Sequence, residues 1–402
     1  MAQYPVCMKY QVDLNARPLA DVTYMHAKIM EIRRIYLKVR CRRGLLMNAL
    51  ISQWRMDYKR PSATEYILPC CSDPFSFHSQ TNQYSQVQVI SSSTNMSTNE
   101  TILVIGAGEL GMEILRSLVK KTPSHSSTKI TVLLRFATID SHDSQKRKTT
   151  AELRALGISL LAGDIVTAST IELSKLFEPF HTIVGCTGFS AGRSIQVKLA
   201  HAVLDARVAR YFPWQFGVDY DVIGRGSAQD LFDEQLDVRD LLRGQSKTEW
   251  VIVSTGMFTS FLFEPWFGVV DLETDTVHAL GSLENQVTLT TPEDIGNLTA
   301  EILFADGPRT ANEVVFVAGD TVSYGQLADI VESVLGRNIK RTEWTVKILE
   351  EELKSDPSNL IRKYRIVFAK GKGVAWDIGK TYNARKNMKV VSLKEWVSKN
   401  LK

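Results

Sequence analysis

The sequence predicts an α/β fold: a doubly wound parallel sheet with helices on both faces, followed by a smaller α+β lobe. Three observations predict it. Between residues 99 and 256, short apolar runs alternate with helical stretches long enough to carry the chain back to the same sheet. A glycine-rich turn joins the first run to its helix. From residue 257 to 402 the alternation gives way to aromatics, glycines and short β-like runs, which marks the second lobe.

The first 98 residues read differently. Residues 1–60 carry a net charge of +8, whereas the remainder carries −4 of the overall +4. Residues 24–58 have the pattern of a basic amphipathic helix, and 72–99 are Ser-, Asn- and Gln-rich without periodicity, as in a linker. Two readings stay open: a surface or targeting segment, or an extension ahead of a fold that starts at Met96. The acidic balance of the rest argues against a nucleic-acid surface. No apolar run reaches membrane-spanning length, which predicts no membrane partner. Cys186 is the one cysteine beyond residue 71, which suits a reducing, cytoplasmic setting. No His/Cys pattern has metal-ligand spacing, so no metal is expected.

Taken in order, "TILVIGAGELGMEILRSLVKK" reads as strand, turn and amphipathic helix. Gly106, Gly108 and Gly111 make G-x-G-x-x-G, with Glu109 and Leu110 opening the helix. The first glycine permits the tight turn, the second lets backbone approach a pyrophosphate, and the third lets the helix pack closely. This is the fingerprint of an NAD(P)-binding Rossmann domain.

The second strand, "KITVLLR", ends in Arg135 where an NAD site usually places a carboxylate. A guanidinium can grip a ribose 2′-phosphate that a carboxylate would repel, so the expected cofactor is NADP(H). Lys146, Arg147 or Lys148 in "SQKRK" can close over the same phosphate or simply be a solvated helix start; Lys146 is the candidate carried forward. Asp164 follows the third strand, and Thr187, Gly188 and Phe189 follow the fourth. "VARYFPWQFG" and "TEWVIVSTGMF" supply a fifth and a sixth strand. Ligands in such sheets lie beyond the carboxyl ends of the strands. That rule gathers Thr187–Phe189, Trp214–Phe216 and Thr255–Phe258 around one cleft, with Trp214, Phe216, Met257 and Phe258 as substrate-binding candidates.

In the second lobe, Phe258, Phe261, Phe263, Trp266 and Phe267 can line an apolar pocket or fill the seam between lobes. Thr291 caps a helix starting at Pro292, which gives Asp294 a structural role. Ser323 to Gly336 bounds another helix. "WTVKILEEELKSD" and "LKEWVSKNLK" read as helical, and "YRIVFAKGKGVAWDIGK" as irregular with glycine breaks.

With "GAGELG", "LLR", "ALGISLLAGDI", "RYFPWQFGVDYD" and "LTTPEDIGNLTAEIL" in view, residues 100–400 resemble the isoflavone-reductase-like and NmrA-like branch of atypical short-chain dehydrogenases. Trp214 and Gln215 stand where that family has Ser-Glu in Phe-Pro-Ser-Glu-Phe-Gly. Its plant reductases carry an essential Lys three residues beyond a Phe and four before an Arg. Phe232 and Arg239 fit that register, and Gln235 occupies the Lys position. Gln can hydrogen-bond a carbonyl but cannot donate a proton at neutral pH. The ordinary Tyr-x-x-x-Lys pair is also absent, since Tyr211 is followed four residues on by Gln215.

Either the donor has moved or none is needed. Tyr220 is the candidate for a moved donor if a neighbour lowers its pKa. For a cationic iminium, Asp219, Asp221, Asp233 and Glu234 can supply counter-charge. The resemblance implies an NADPH-dependent reductase of a small, largely apolar metabolite, acting on C=O, C=N or conjugated C=C. Its wording is similar to fungal members linked to secondary metabolism. It equally implies the alternative of an NmrA-like redox sensor acting through a protein partner. A monomer or a homodimer is expected.

Overall fold

The computed structural model describes residues 100–122, 127–305 and 310–401. The extension read at 1–98, with its four cysteines, lies outside the described residues.

The apolar runs become strands because their β-branched and leucine side chains are buried on both faces. Val104, Val132, Ile183 and Val251 are each fully buried. The strands are β1 (Thr101–Ile105), β2 (Lys129–Leu134), β3 (Ser159–Ala162), β4 (Thr182–Gly185), β5 (Arg210–Phe212) and β6 (Glu249–Ser254). The chain then forms β7 (Met257–Phe258), β8 (Val270–Asp271), β9 (Thr276–Leu280), β10 (Gln286–Thr290), β11 (Glu313–Phe316), β12 (Asp320–Ser323) and β13 (Lys340–Trp344). Seven of these make one parallel sheet in the order β11-β6-β5-β4-β1-β2-β3. The order reverses between β1 and β4, and a crevice opens outside the strand ends at such a switch point.

The fifth strand is shorter than "VARYFPWQFG" suggests, because Pro213 cannot donate to a ladder. At its start, Arg210 is buried inside the fold. Its guanidinium donates to the carbonyls of Leu303 and Thr310 at 2.9 and 2.8 Å and lies 3.0 Å from Glu249, its cross-strand neighbour. Such pairing is what a buried charge requires.

The second lobe adds two three-stranded sheets, β12-β10-β7 and β13-β9-β8. Its core gathers Val277, Leu280, Tyr324, Leu327 and Phe267. Tyr220 and Phe232, from the first half of the chain, belong to the same core. The helices Pro292–Phe304 and Tyr324–Leu335 begin on Thr291 and Ser323 as expected, and the second ends on Gly336 at φ 63°. Asp294 has the structural role expected of it: its carboxylate accepts from the Thr291 hydroxyl and from the Val391 N–H.

One reading fails. Residues 364–369, the start of the stretch 364–380 taken as irregular, belong to a helix, Leu360–Ala369. Asn359 caps it by accepting from the N–H groups of Ile361 and Arg362, and Ile366–Ala369 are buried. Tertiary burial overrides the low helix propensity of its β-branched residues.

The helix Glu109–Lys121 packs on the helix Pro292–Phe304, with Ser117 bonded to Asn297 and Lys121 paired with Glu301. A Cβ added at Gly296 would stand 2.5 Å from the Glu113 carbonyl oxygen. Gly296→Ala is therefore expected to cost about 1–3 kcal/mol through forced separation of the two helices. A lower urea midpoint at unchanged m-value is the check, and an unchanged midpoint would show that the helices part freely.

Candidate active site

The glycine turn sits at the β1 side of the switch point. Gly106 adopts φ 99°, which glycine alone takes without strain. A Cβ there would also meet the Thr187 hydroxyl at 2.6 Å. Gly111 lies against the Gly106 carbonyl, where a Cβ would come within 2.3 Å. Around Gly108 a Cβ would meet nothing within 4 Å. The turn is thus packed at two glycines and open at the third. Gly108 caps the Glu109–Lys121 helix without a side-chain acceptor, so the first-turn N–H groups face that opening. Leu110 turns inward, 5% exposed, and serves the core; Glu109 is exposed.

Arg135 is exposed directly after β2, and no ion pair involves it among the described residues. Phe136 beside it is 70% exposed. Lys146 lies exposed in the first turn of the helix Ser144–Ala155, its N–H held by Asp143. Arg147, Lys148 and Arg154, but not Lys146, line a depression of about 650 Å³ next to residues 139–144. Asp164 accepts the Val166 N–H at 2.8 Å and shapes its own loop.

Across the switch point, the Thr187 hydroxyl donates to the Ile105 carbonyl at 3.0 Å, tying the loop after β4 to β1. Gly188 lies against the Trp214 indole, 2.5 Å from where a Cβ would stand. Phe189 meets Trp214 edge-on at 4.7 Å. The N–H groups of Thr255 and Gly256 donate to the Gly217 carbonyl at 2.9 and 3.0 Å, which brings the ends of β5 and β6 together. Trp214 and Phe258 are half-buried, whereas Phe216 and Met257 are core side chains, 5% and 6% exposed.

The helix Leu231–Arg243 closes this end of the sheet. Glu234 accepts the N–H groups of Ser194 and Gln196 at 2.9 Å each, capping the helix Ile195–Asp205. Asp230 pairs with Arg193 of the same loop and with Lys363 of the Leu360–Ala369 helix. On the inner face stand Phe232, Gln235 and Arg239. Gln235 is fully buried, and neither atom of its amide has a hydrogen-bond partner. Its backbone carbonyl accepts from Gln215 at 2.9 Å, and Arg239 donates to Gln215 at 2.8 Å.

Tyr220 is 2% exposed, edge-on to Phe232 at 5.0 Å and beneath the Arg239 guanidinium at 5.3 Å. Its hydroxyl lies 2.8 Å from where a Gly217 Cβ would stand, so it points back toward the ends of β5 and β6. The expectation of a lowered pKa is corrected. Burial pushes the phenol up, and the Arg239 charge opposes this only in part.

The carboxylates proposed for a cationic substrate have internal partners. Asp221 accepts from Arg239 and Arg243 at 2.6 Å each, and Asp219 from the Val222 N–H. Asp233 accepts from the Gly226 N–H, and Glu234 caps its helix.

Sequence reading missed Tyr364, Lys363, Asp230 and Arg193. An Asn359 cap ahead of an apolar stretch was the available signal for the helix that carries the first two. Tyr364 meets Phe232 edge-on at 5.5 Å and Phe261 at 6.3 Å. Trp214, Phe189, Phe232, Tyr364 and Phe261 thus form a continuous aromatic track. Trp266 and Phe267 extend it, with ring centroids 4.6 and 4.8 Å from Phe261, whereas Phe263 stacks on Trp396 at 4.8 Å. Among the described residues no helix is long and apolar enough to cross a membrane, and no group of acidic, His or Cys side chains could hold a metal ion.

The NmrA-like family model matches residues 98–391. The chain belongs to the NmrA-like family. It is 46% identical over 300 residues to an NmrA-like family domain-containing oxidoreductase of Gibberella moniliformis, covering 74% of this chain and 97% of that one. Its fold is that of isoflavone reductase, with a TM-score of 0.61 at 19% identity over 75% of this chain and 99% of the other. Leucoanthocyanidin reductase of Vitis vinifera, solved with NADPH, gives 0.62 at 19% over 74% and 98%. An Escherichia coli NADPH-dependent quinone oxidoreductase, solved with NADPH, gives 0.59 at 18% over 75% and 100%.

The two glycines make opposite predictions. Gly108→Ala leaves the thermal midpoint unchanged and weakens dinucleotide binding in calorimetry, whereas Gly111→Ala lowers the midpoint before any ligand is added. Binding unimpaired in Gly108→Ala would remove the phosphate from that opening.

Asp221 gives a pH prediction. The hydrogen bond from Arg243, with help from Arg239 and against burial, holds its carboxyl down to about 2. A depressed carboxyl contributes stability above its unfolded value near 4 and loses it as pH falls toward 2. The side chain is 37% exposed, so solvent screening reduces the contribution to about 1 kcal/mol. Asp221→Asn is expected to lose that amount at pH 7, with the gap to wild type closing between pH 4 and 2. A constant gap across urea melts in that window would sink the assignment.

Proposed function

We propose that the protein is an NADPH-dependent reductase of a small, largely apolar metabolite bearing a carbonyl or a carbonyl-conjugated double bond. The observation that carries this reading is the aromatic track leading from Gly188 and Trp214 at the switch point to the Tyr220 phenol. A pure nucleotide sensor has no need of such an apolar approach.

The residues at the turn fit the cofactor. Gly108 leaves room for a pyrophosphate at a helix N-terminus, and exposed Arg135 offers a bidentate donor to a 2′-phosphate. Bound NADPH supplies the hydride. Trp214, Phe189 and Phe232 flank the apolar substrate and exclude water. Tyr220 donates a hydrogen bond to the substrate oxygen as negative charge gathers there, then passes its proton to that oxygen. An alkoxide is more basic than a buried phenolate, so a raised phenol pKa still allows the transfer. Arg239, over the ring, stabilises the phenolate left behind. Because Asp219, Asp221, Asp233 and Glu234 are engaged internally, reduction of a cationic C=N receives no support. Gln235, which cannot donate a proton, favours the second reading, a redox sensor.

Calorimetric titration with NADPH and NADH, followed by NADPH oxidation against quinones, enones and aryl ketones, separates the two readings. NADPH is expected to bind at least about tenfold more tightly than NADH, a margin of roughly 1.4 kcal/mol. Arg135→Ala should erase that margin without weakening NADH. Tyr220→Phe should slow turnover roughly a hundredfold. Binding without turnover of any substrate class would favour the sensor, and NADH binding tighter than NADPH would overturn the role of Arg135.

A further inference from the structure

We propose that Tyr364, carried by the Leu360–Ala369 helix, joins Tyr220 in a two-phenol site that holds an anionic oxygen of the substrate. The inference rests on the reductase reading above and extends it to a residue of the second lobe.

The two tyrosines reach Phe232 from helices far apart in sequence. Each ring meets that benzene edge-on, Tyr220 at 5.0 Å and 79°, Tyr364 at 5.5 Å and 80°. Phe232 is therefore a wall shared by the two rings. The backbone around Tyr364 is pinned on both sides of it. Lys363, 14% exposed, donates to Asp230 at 2.6 Å, at the N-cap position of the helix that carries Phe232. Arg365 donates to the Phe267 carbonyl at 2.9 and 2.6 Å and lies over the Trp344 ring at 4.6 Å. Two anchors on separate elements leave the intervening side chain little freedom, which is how a recognition group is held ready.

Packing alone does not require the hydroxyl, since a phenylalanine would fill the same space against Phe232 and Phe261. Tyr364 is half-buried, and a hydroxyl partly withdrawn from water beside these rings carries a desolvation cost that a ligand oxygen repays. Burial, together with the Tyr220 phenol, keeps Tyr364 protonated, so both groups act as donors. Two neutral donors in a site of low dielectric favour an oxyanion over a neutral oxygen. The chemical class such a pair selects is a phenolate, or the enolate or alkoxide oxygen formed when hydride reaches a conjugated or simple carbonyl.

The test needs no turnover. The full chain is titrated with 4-nitrophenol near neutral pH, where absorbance distinguishes phenol from phenolate. Its neutral isostere 4-nitrotoluene is followed by calorimetry, and NADPH affinity is measured on the same samples. Wild type is expected to take the probe as phenolate. Tyr364→Phe and Tyr220→Phe should each weaken it at least about tenfold, with 4-nitrotoluene and NADPH affinities unchanged. Phenolate affinity preserved in Tyr364→Phe overturns the two-phenol site; loss confined to Tyr220→Phe then leaves the single donor standing. An equal loss of 4-nitrotoluene in Tyr364→Phe also overturns it, because the effect is then packing. Wild type with no NADPH affinity removes the reductase reading itself, independently of the probe.

Discussion

Two carboxylates at the start of the Leu231–Arg243 helix hold the carboxyl end of the sheet in one arrangement. Glu234 accepts two backbone N–H groups at the N-terminus of the Ile195–Asp205 helix, where charge-assisted hydrogen bonds and the helix dipole act together. Those N–H groups otherwise have no partner inside the helix. Asp230 contributes differently. Its pair with Arg193 is exposed on both sides and adds little, whereas Lys363 is largely withdrawn from water and adds more. One turn of helix therefore fixes the loop beyond β4, the aromatic track through Phe232 and the helix that brings in Tyr364. Disturbing that turn would displace three parts of the site at once.

The inner face of the same helix explains why an amide at position 235 fits this chain. Arg239 is fully buried one turn further on, and its charge is already balanced by Asp221. Gln215, which accepts from Arg239 and donates to the Gln235 carbonyl, offers an amide and no second carboxylate. An ammonium at 235 would be a second buried cation beside a guanidinium, and burying unpaired charge is far more costly than burying an unpaired amide. Gln215 and Gln235 are thus consistent with one another. The buried charge here is Arg239, which lies over the Tyr220 ring. A neutral helix position and a cation over the phenol are two sides of one electrostatic arrangement.

The turn at Gly106–Gly111 was legible in the sequence because each glycine answers a local steric demand that no neighbour can relax. The capped helices at Thr291 and Ser323 were legible for the same reason, since a cap is settled within four residues. The parallel sheet followed from alternation and from the rule that parallel crossovers need helices, whereas its strand order and the seventh strand, β11, did not. The position of Arg135 directly after β2 was legible because it is set by its own strand.

Tertiary structure alone decided the rest. Lys363, Tyr364, Asp230 and Arg193 are brought together across separations that no periodicity encodes, and Tyr364 opens a stretch, 364–380, whose glycines and β-branched residues point away from helix. The direction of the Tyr220 pKa was likewise unreadable, because it depends on how much water the second lobe removes and not on the residues beside it in sequence. The sequence by itself determined the glycine-rich turn and the parallel sheet, through steric and capping requirements that act within a few residues. Burial and long-range pairing, which depend on the completed packing, decided which phenols, cations and amides face one another at the end of that sheet.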